Sequence, residues 1–463
     1  MNMKIKKGNN IELEITDMAI GGRGIAKIDG MVVFVNGAVN GDKVIARILK
    51  KKKDYAEAKV VDVISKSECR ISPVCQYNQW CGGCKWQFIE YKRQLYYKEQ
   101  FVKNALKHIS NIDNIQLNPI IESKDIFEYR NKMEFSCSDK RWLLPEEMNN
   151  NVDQNFACGL HVPGTFHKVI DINSCLLQPD IGNKILCDLK KIMKDSDFPA
   201  YGLKSHEGFW RFCVLRNSSF YKTWMINIVT SRESSNIFRT LVEEITSKYP
   251  CIETIVNNIT SSKAGVALGQ KEIIYYGKGY LKEKLGNYIF EISANSFFQT
   301  NTHQAEYLYN TVEKLANLNG DEFILDLYSG TGTIPIWLSQ KCKKVIGIEL
   351  IESAVNCAKK NCMINNINNC DFIIGDINEC LSQISDLPDI LIIDPPRDGM
   401  HKNVLKQIFN MDINKIIYVS CNPATLARDI LKLKEKYIIN EIQPVDMFPN
   451  TFHIETVVSL EKK

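Results

Sequence analysis

The chain has 463 residues, 44% hydrophobic and 24% charged, enough for about three domains with cores of their own. No run of 18 apolar residues occurs and the start, Met1 to Asn10, is polar and basic, so neither a membrane span nor a secretory leader is expected, and the protein reads as cytoplasmic. Residues 1–110 hold 20 Lys and Arg against 11 Asp and Glu, a surplus of 9 on a remainder of −5, which points to an anionic partner such as nucleic acid held by the amino-terminal part.

Residues 9–66 carry short alternating segments, Ile11 to Ile15, Met31 to Val35, Lys43 to Leu49 and Ala58 to Ile64, separated by Gly21-Gly22, Asp29-Gly30 and Asn40-Gly41. Such spacing predicts a small antiparallel barrel, with the lysine run Lys50 to Lys53 at one turn.

Sixteen cysteines without a leader argue against a disulfide framework. Most stand singly among apolar residues, but Cys75, Cys81 and Cys84 crowd a glycine-containing loop, where thiolates suit a zinc ion or an iron–sulfur cluster. Either needs a fourth ligand, and Cys69, Cys137, Cys158 and Cys175 are the nearby choices. Lys85 to Ile109 then reads as one helix whose aromatics pack inward. Residues 125–290 read as mixed α/β, with helices over 180–196 and 234–248 and an asparagine-rich surface loop over 146–154.

From about residue 291 strand and helix alternate regularly, which predicts a parallel sheet. Strand Phe323 to Tyr328 runs into Ser329-Gly330-Thr331-Gly332-Thr333, and Glu349 ends the next strand 19 residues beyond Gly330. Glycines let the backbone approach a nucleoside, and a carboxylate at the second strand tip suits ribose hydroxyls. Pro335 stands where a dinucleotide fold has its third glycine, which disfavours NAD and favours S-adenosylmethionine. Asp326, Asp376 and Asp394 also end strands, and Ile416 to Val419 runs into Ser420-Cys421-Asn422-Pro423 before a helix from Ala424 to Lys436. A cysteine at the carboxyl edge of such a sheet is a candidate nucleophile, and the following helix is expected to favour its thiolate.

These motifs, "GGRGIAKIDGMVVFVNGAVNGD", "CQYNQWCGGC", "SFFQTN", "DLYSGTGT", "DPPRDG", "SCNPATLARD" and "DMFPNTFHIETV", make the chain resemble a bacterial RNA uracil-C5 methyltransferase of the 23S ribosomal RNA type nearly end to end. The resemblance implies three domains: a TRAM (OB-like) RNA-binding barrel over 1–66, a small central α/β domain over 67–290, and a Rossmann-like S-adenosylmethionine methyltransferase domain over 291–463. It implies a [4Fe–4S] cluster on Cys75, Cys81, Cys84 and Cys175, and cofactor contacts from Gln299, Tyr328, Glu349 and Asp394. By the same matching, Cys421 is the nucleophile and Glu455 the proton acceptor. Some relatives carry Asn where this chain has Thr333. The implied partner is 23S ribosomal RNA, since the transfer-RNA branch typically lacks both barrel and cluster, and a monomer is expected.

Overall fold

The computed structural model describes residues 5–463; the first four residues of the basic start lie outside it. No helix among the described residues is long and apolar enough to cross a membrane. The fold is the expected α/β one, built on three sheets and a hairpin.

The amino-terminal sheet contains β1 (Asn10–Glu14), β2 (Asp17–Ala19), β3 (Arg23–Ile28), β4 (Met31–Asn36), β5 (Lys43–Lys51) and β6 (Tyr55–Ser65), in the order β1-β5-β6-β4-β3-β2. One face alternates inward as Ile11, Leu13, Ile15, Val33, Val35, Val44, Ala46 and Ile48, so period-two patterning builds a small core. The expected all-antiparallel pairing needs correction: β4 and β6 run parallel, because the β5–β6 hairpin is inserted beside β4. Buried Asp42 ties the barrel to the next segment by accepting from Arg70 Nε at 2.9 Å, Arg70 Nη2 at 2.6 Å, Val39 N at 2.8 Å and Ser67 N at 3.1 Å.

The predicted helix from Lys85 begins six residues later, as α1 (Tyr91–Ser110). Trp86, Gln87, Phe88 and Ile89 are four consecutive buried residues, which no helix face can bury together, and they form turns instead. As expected, α1 turns Tyr97 and Phe101 inward, but it does not stay in the central domain. Val102, Ala105 and Leu106 share a core with the final helix of the carboxyl-terminal domain.

The central sheet comprises β7 (Lys132–Ser138), β8 (Ala157–His161), β9 (Val169–Asp171), β10 (Trp210–Asn217), β11 (Trp224–Thr230), β12 (Ile252–Ile259) and β13 (Lys271–Tyr276), ordered β13-β12-β11-β10-β7-β8-β9. Helices α2 (Asp180–Asp195) and α3 (Ser235–Lys248) cover one face through Leu186, Leu189, Phe238 and Leu241.

A hairpin of β14 (Tyr280–Leu285) and β15 (Tyr288–Ser293) follows. Its Leu285, Tyr288, Phe290 and Ile292 pack into the carboxyl-terminal core, while its Leu281 packs with Met225 and Val256 of the central sheet. Alternating strands look alike whichever sheet they serve, which hides this allegiance in the sequence.

The carboxyl-terminal sheet is doubly wound: α4 (Thr302–Ala316), β16 (Phe323–Leu327), α5 (Thr333–Leu338), β17 (Lys344–Glu349), α6 (Glu352–Ile364), β18 (Cys370–Ile374), α7 (Ile377–Cys380), β19 (Ile390–Ile393), α8 (Lys402–Asn410), β20 (Lys415–Ser420), α9 (Pro423–Leu433), β21 (Tyr437–Val445) and β22 (Glu455–Lys462). Strand order is β18-β17-β16-β19-β20-β22-β21, parallel as far as β20 and antiparallel beyond. The order reverses between β16 and β19, and a ligand crevice belongs at that switch point.

Candidate active site

The loop after β16 is shaped by backbone no ordinary residue prefers. Tyr328, Gly330 and Gly332 all have positive φ, at 67°, 54° and 77°. Glu349 closes this loop: its carboxylate accepts from Gly330 N at 3.0 Å and Ile351 N at 2.8 Å. Beneath it, Asp326 is buried with neither carboxylate oxygen partnered, and Ser329 Oγ is also without a partner. Burial, then Asp394 and Glu349, push the Asp326 carboxyl well above the usual carboxylate range. Unsatisfied buried acceptors are costly unless a ligand completes them. These orphaned atoms therefore fit a loop built to hold a polar nucleoside.

Gln299 lies on the loop before α4, where Asn131 Nδ2 donates to its carbonyl at 2.8 Å. Thr331 Oγ1 donates to the Phe297 carbonyl at 3.2 Å, which lays this loop beside the glycine turn. Thr333 accepts from Tyr309 OH at 3.0 Å, so its hydroxyl is already engaged. Asp376 caps α7 through Asn378 N at 2.8 Å, a structural use of a strand-end acid.

Beyond the switch point, Asp394 follows β19, Cys421 follows β20 and Glu455 opens β22. Cys421 and Glu455 lie within electrostatic reach of each other, of Asp394 and of Arg397. Burial pushes Asp394 up to about 7. Burial and Asp394 push Glu455 well up, against a counter-pull from Arg397. The expectation of a helix-stabilised thiolate at Cys421 is corrected here: burial, then Glu455 and Asp394, push its thiol up to about 11. The helix gives little help because its first N–H groups are committed. Asn422 Oδ1 accepts from Ala424 N at 3.1 Å, Ser420 Oγ accepts from Asn422 N at 3.2 Å, and Pro423 has no N–H.

Two residues to which the sequence reading gives no role also belong to this site. Arg397 is the cation facing Cys421 and Glu455. His453, two positions before Glu455, is pushed down to about 4 by burial and by Arg397, Lys98, Lys85 and Arg130, and so is a neutral imidazole. Their signal is the DPPRDG and NTFHIE motifs themselves, whose polar residues need partners once the strands bury them.

The turns after β19 and β20 are laced together. Asn422 Nδ2 and Thr425 Oγ1 donate to the Arg397 carbonyl at 3.0 and 3.3 Å, and Arg428 Nη2 donates to the Met400 carbonyl at 3.1 Å. Buried Asp429 accepts from Met400 N at 3.1 Å and Tyr418 OH at 2.8 Å.

Across the central domain, Cys75, Cys81 and Cys84 pack against the core beside Cys175. Burial pushes all four thiols up, Cys81 to about 12, and they act on one another: Cys81 and Cys84 each feel Cys175 and Cys75. The alternatives lie elsewhere. Cys69 sits in a separate cluster with Trp86 and Tyr97, while Cys137 and Cys158 oppose each other across β7 and β8. Among the described residues no group of three or more His, Cys, Asp or Glu side chains is arranged to hold a metal ion.

Between this cysteine loop and Phe297 opens a cavity of about 560 Å³, lined by Lys85, Arg130, Lys132, His161, Arg216 and Phe297 among others. Arg216 is 2% exposed, donates Nη2 to the Ser296 carbonyl at 2.8 Å and leaves Nη1 without a partner. Phe297 is 67% exposed. A basic lining with an exposed ring is suited to nucleic acid.

Residues 218–463 match the profile of the family described as tRNA (Uracil-5-)-methyltransferase, and residues 4–61 match the TRAM domain. The chain belongs to the RNA uracil-5-methyltransferase family. A relative from Chlorobaculum tepidum, described as an uncharacterized RNA methyltransferase, is 40% identical over 99% of this chain and 98% of its own length. One from Bacteroides thetaiotaomicron, described in the same words, is 39% identical over 96% and 100%. Among solved structures, the Pyrococcus abyssi tRNA (uracil-54, C5)-methyltransferase in complex with S-adenosyl-L-homocysteine is 28% identical, covers 97% of this chain and 99% of its own, and superimposes with a TM-score of 0.77. This uracil-5-methyltransferase thus combines a TRAM barrel with an S-adenosylmethionine-dependent catalytic domain, and its substrate is RNA.

Proposed function

We propose that the chain methylates C5 of a uridine in 23S ribosomal RNA through a covalent cysteine adduct. The observation that carries this reading is the meeting of Cys421, Glu455, Asp394 and Arg397 at the ends of β20, β22 and β19. Uracil C5 is too poor in electrons to attack a methyl group unaided. Addition of the Cys421 thiolate to C6 breaks the C5–C6 double bond and leaves an enolate with nucleophilic C5. Gln299, Tyr328, Glu349 and Asp394 would hold S-adenosylmethionine, which would supply an electrophilic methyl group to C5 with S-adenosylhomocysteine as the leaving group. The Glu455 carboxylate then takes the C5 proton, the double bond re-forms, and the Cys421 thiolate leaves C6. A carboxyl whose proton affinity is raised by burial is a stronger base once ionised, which suits this step.

RNA would lie across the basic barrel and the cavity beside Phe297, with the target base unstacked, at a cost of a few kcal/mol. Cys75, Cys81, Cys84 and Cys175 would hold a [4Fe–4S] cluster on four thiolates. The methyl transfer has no redox step, so that cluster would organise the loop carrying Trp80 and Trp86.

Transfer RNA is the second reading, and a specific observation favours it. The Pyrococcus abyssi tRNA enzyme spans 97% of this chain, so overall architecture alone does not separate the two substrates. Mass mapping of ribosomal and transfer RNA from a deletion strain decides between them. For the chemistry, Cys421→Ala should abolish both methylation and adduct. Glu455→Gln should attack and methylate, then stall as a protein–RNA thioether that survives denaturing electrophoresis. An adduct in Cys421→Ala, or normal turnover in Glu455→Gln, would remove the corresponding assignment.

A further inference from the structure

The segment Asp446–Asn450, which leads into His453 and Glu455, is held at every residue by groups from distant parts of the chain. Lys98 Nζ donates to Asp446 Oδ1 at 2.6 Å and to the Phe448 carbonyl at 3.1 Å; the Lys98 and Asp446 side chains are both 0% exposed. Tyr91 OH donates to Asp446 Oδ2 at 2.9 Å. Asn301 Nδ2 donates to the Met447 carbonyl at 3.1 Å, and Tyr129 OH to the Pro449 carbonyl at 3.0 Å.

Asn450 closes the set. Gln94 Nε2 donates to its Oδ1 at 3.2 Å, its N–H donates to Gln94 Oε1 at 2.8 Å, and its Nδ2 donates to the Ile126 carbonyl at 2.8 Å. Its φ of 63° is left-handed, a conformation asparagine adopts more readily than other residues that carry a side chain. Tyr91, Gln94 and Lys98 occupy positions i, i+3 and i+7, one face of α1.

A fully buried ion pair is an inefficient way to stabilise a fold, because desolvation offsets most of the attraction. What such a pair does supply is a fixed geometry. The turns after β16, β19 and β20 are fixed by other means, through Glu349, Asp429 and Asn422, whereas this segment leads into Glu455 and meets the Gln299 loop through Asn301.

We propose that Gln94, Lys98, Asp446 and Asn450 are positioning residues for the proton-abstraction step, setting the segment that delivers Glu455 to C5. The inference rests on the reading of Glu455 as the base. It separates the step these residues serve from thiol addition and methyl transfer, which they do not touch.

The test uses the full-length enzyme and its RNA. Asn450→Gly removes the amide anchors while tolerating the left-handed backbone. The double variant Lys98→Met/Asp446→Leu removes both buried charges together and leaves neither unpaired. In each, kcat should fall about ten- to a hundredfold. KM for RNA and affinity for S-adenosylmethionine should be unchanged, and the methylated covalent adduct should become the main steady-state form of the enzyme on denaturing gels.

A merely structural role would lower thermal stability and kcat without accumulating adduct, and that result overturns the proposal. If the double variant does not fold, Asn450→Gly decides alone. Glu455→Gln is run alongside: adduct there but none in Asn450→Gly rejects the positioning role only. Absence of adduct in Glu455→Gln rejects the assignment of the base, and the inference with it.

Discussion

The side-chain amide of Asn422 donates to the main-chain carbonyl of Arg397 at 3.0 Å, joining the turn behind Cys421 to the turn behind Asp394. Cys421, Asp394 and Arg397 therefore move as one body, whose position depends on how closely the two turns approach.

Gly399 is where that approach is tightest. Its φ is 73°, and a Cβ there would lie 2.5 Å from Arg428 Nη2, 2.9 Å from Thr425 Cβ and 3.0 Å from Asp429 Oδ2. Gly399→Ala should cost about 1–3 kcal/mol in urea denaturation, through strain and steric conflict. It should also lower methyl transfer at least about tenfold by displacing Arg397, as measured by single-turnover kinetics.

The electrostatics of Cys421 predict an unusual pH profile. A free cysteine titrates near about 8.5. With the Cys421 thiol pushed up to about 11, the neutral form persists to higher pH. Alkylation of Cys421 by iodoacetamide in cofactor-free enzyme, followed by peptide mass spectrometry, should therefore keep rising beyond pH 9. Glu455→Gln removes one of the groups that raise this thiol and should move the profile to lower pH. A plateau near pH 8 in the native enzyme would contradict the environment described.

Lys50 to Lys53 are exposed at the β5–β6 turn, away from the barrel core. Replacing all four by alanine should weaken RNA binding and flatten its salt dependence, by about 0.7–0.9 in slope for each phosphate no longer neutralised. Affinity for S-adenosylmethionine should not change. An unaltered salt slope would show that this turn does not meet RNA.

The proposed cluster on Cys75, Cys81, Cys84 and Cys175 predicts iron and acid-labile sulfide in anaerobically purified protein, both absent from Cys175→Ala. Stoichiometric zinc without iron would replace the cluster assignment. Because Trp80, beside Cys81, lies under Lys59 of β6, with Nζ 5.1 Å from its ring centroid, removal of iron should also loosen the barrel and raise its protease sensitivity.

The parts of the site that are legible in the sequence are those on buried parallel strands. Runs such as Ile390–Ile393 and Ile416–Val419 are apolar on both faces, so the polar residue ending each one stands out. The glycine turn and Glu349 are legible for the same reason. The short strands β2 and β3 escape because Asp17–Ala19 and Arg23–Ile28 are brief and lie beside glycines. The allegiance of α1 escapes because an amphipathic helix announces a buried face without naming its partner. The raised thiol of Cys421 is not readable locally either, since Glu455 and Asp394 reach it from other strands.

The docking of α1 on α9 also has a consequence during synthesis. Ser110 Oγ donates to the Ala427 carbonyl at 2.7 Å across 317 positions of sequence. At about 5–20 residues per second, α1 emerges roughly 15–60 s before its partner helix exists. Throughout that interval Val102, Ala105 and Leu106 must be sheltered by something other than their final neighbours. The nascent chain thus carries an open apolar helix face longer than any other part of its catalytic core, and a trigger for aggregation or chaperone capture should map to α1.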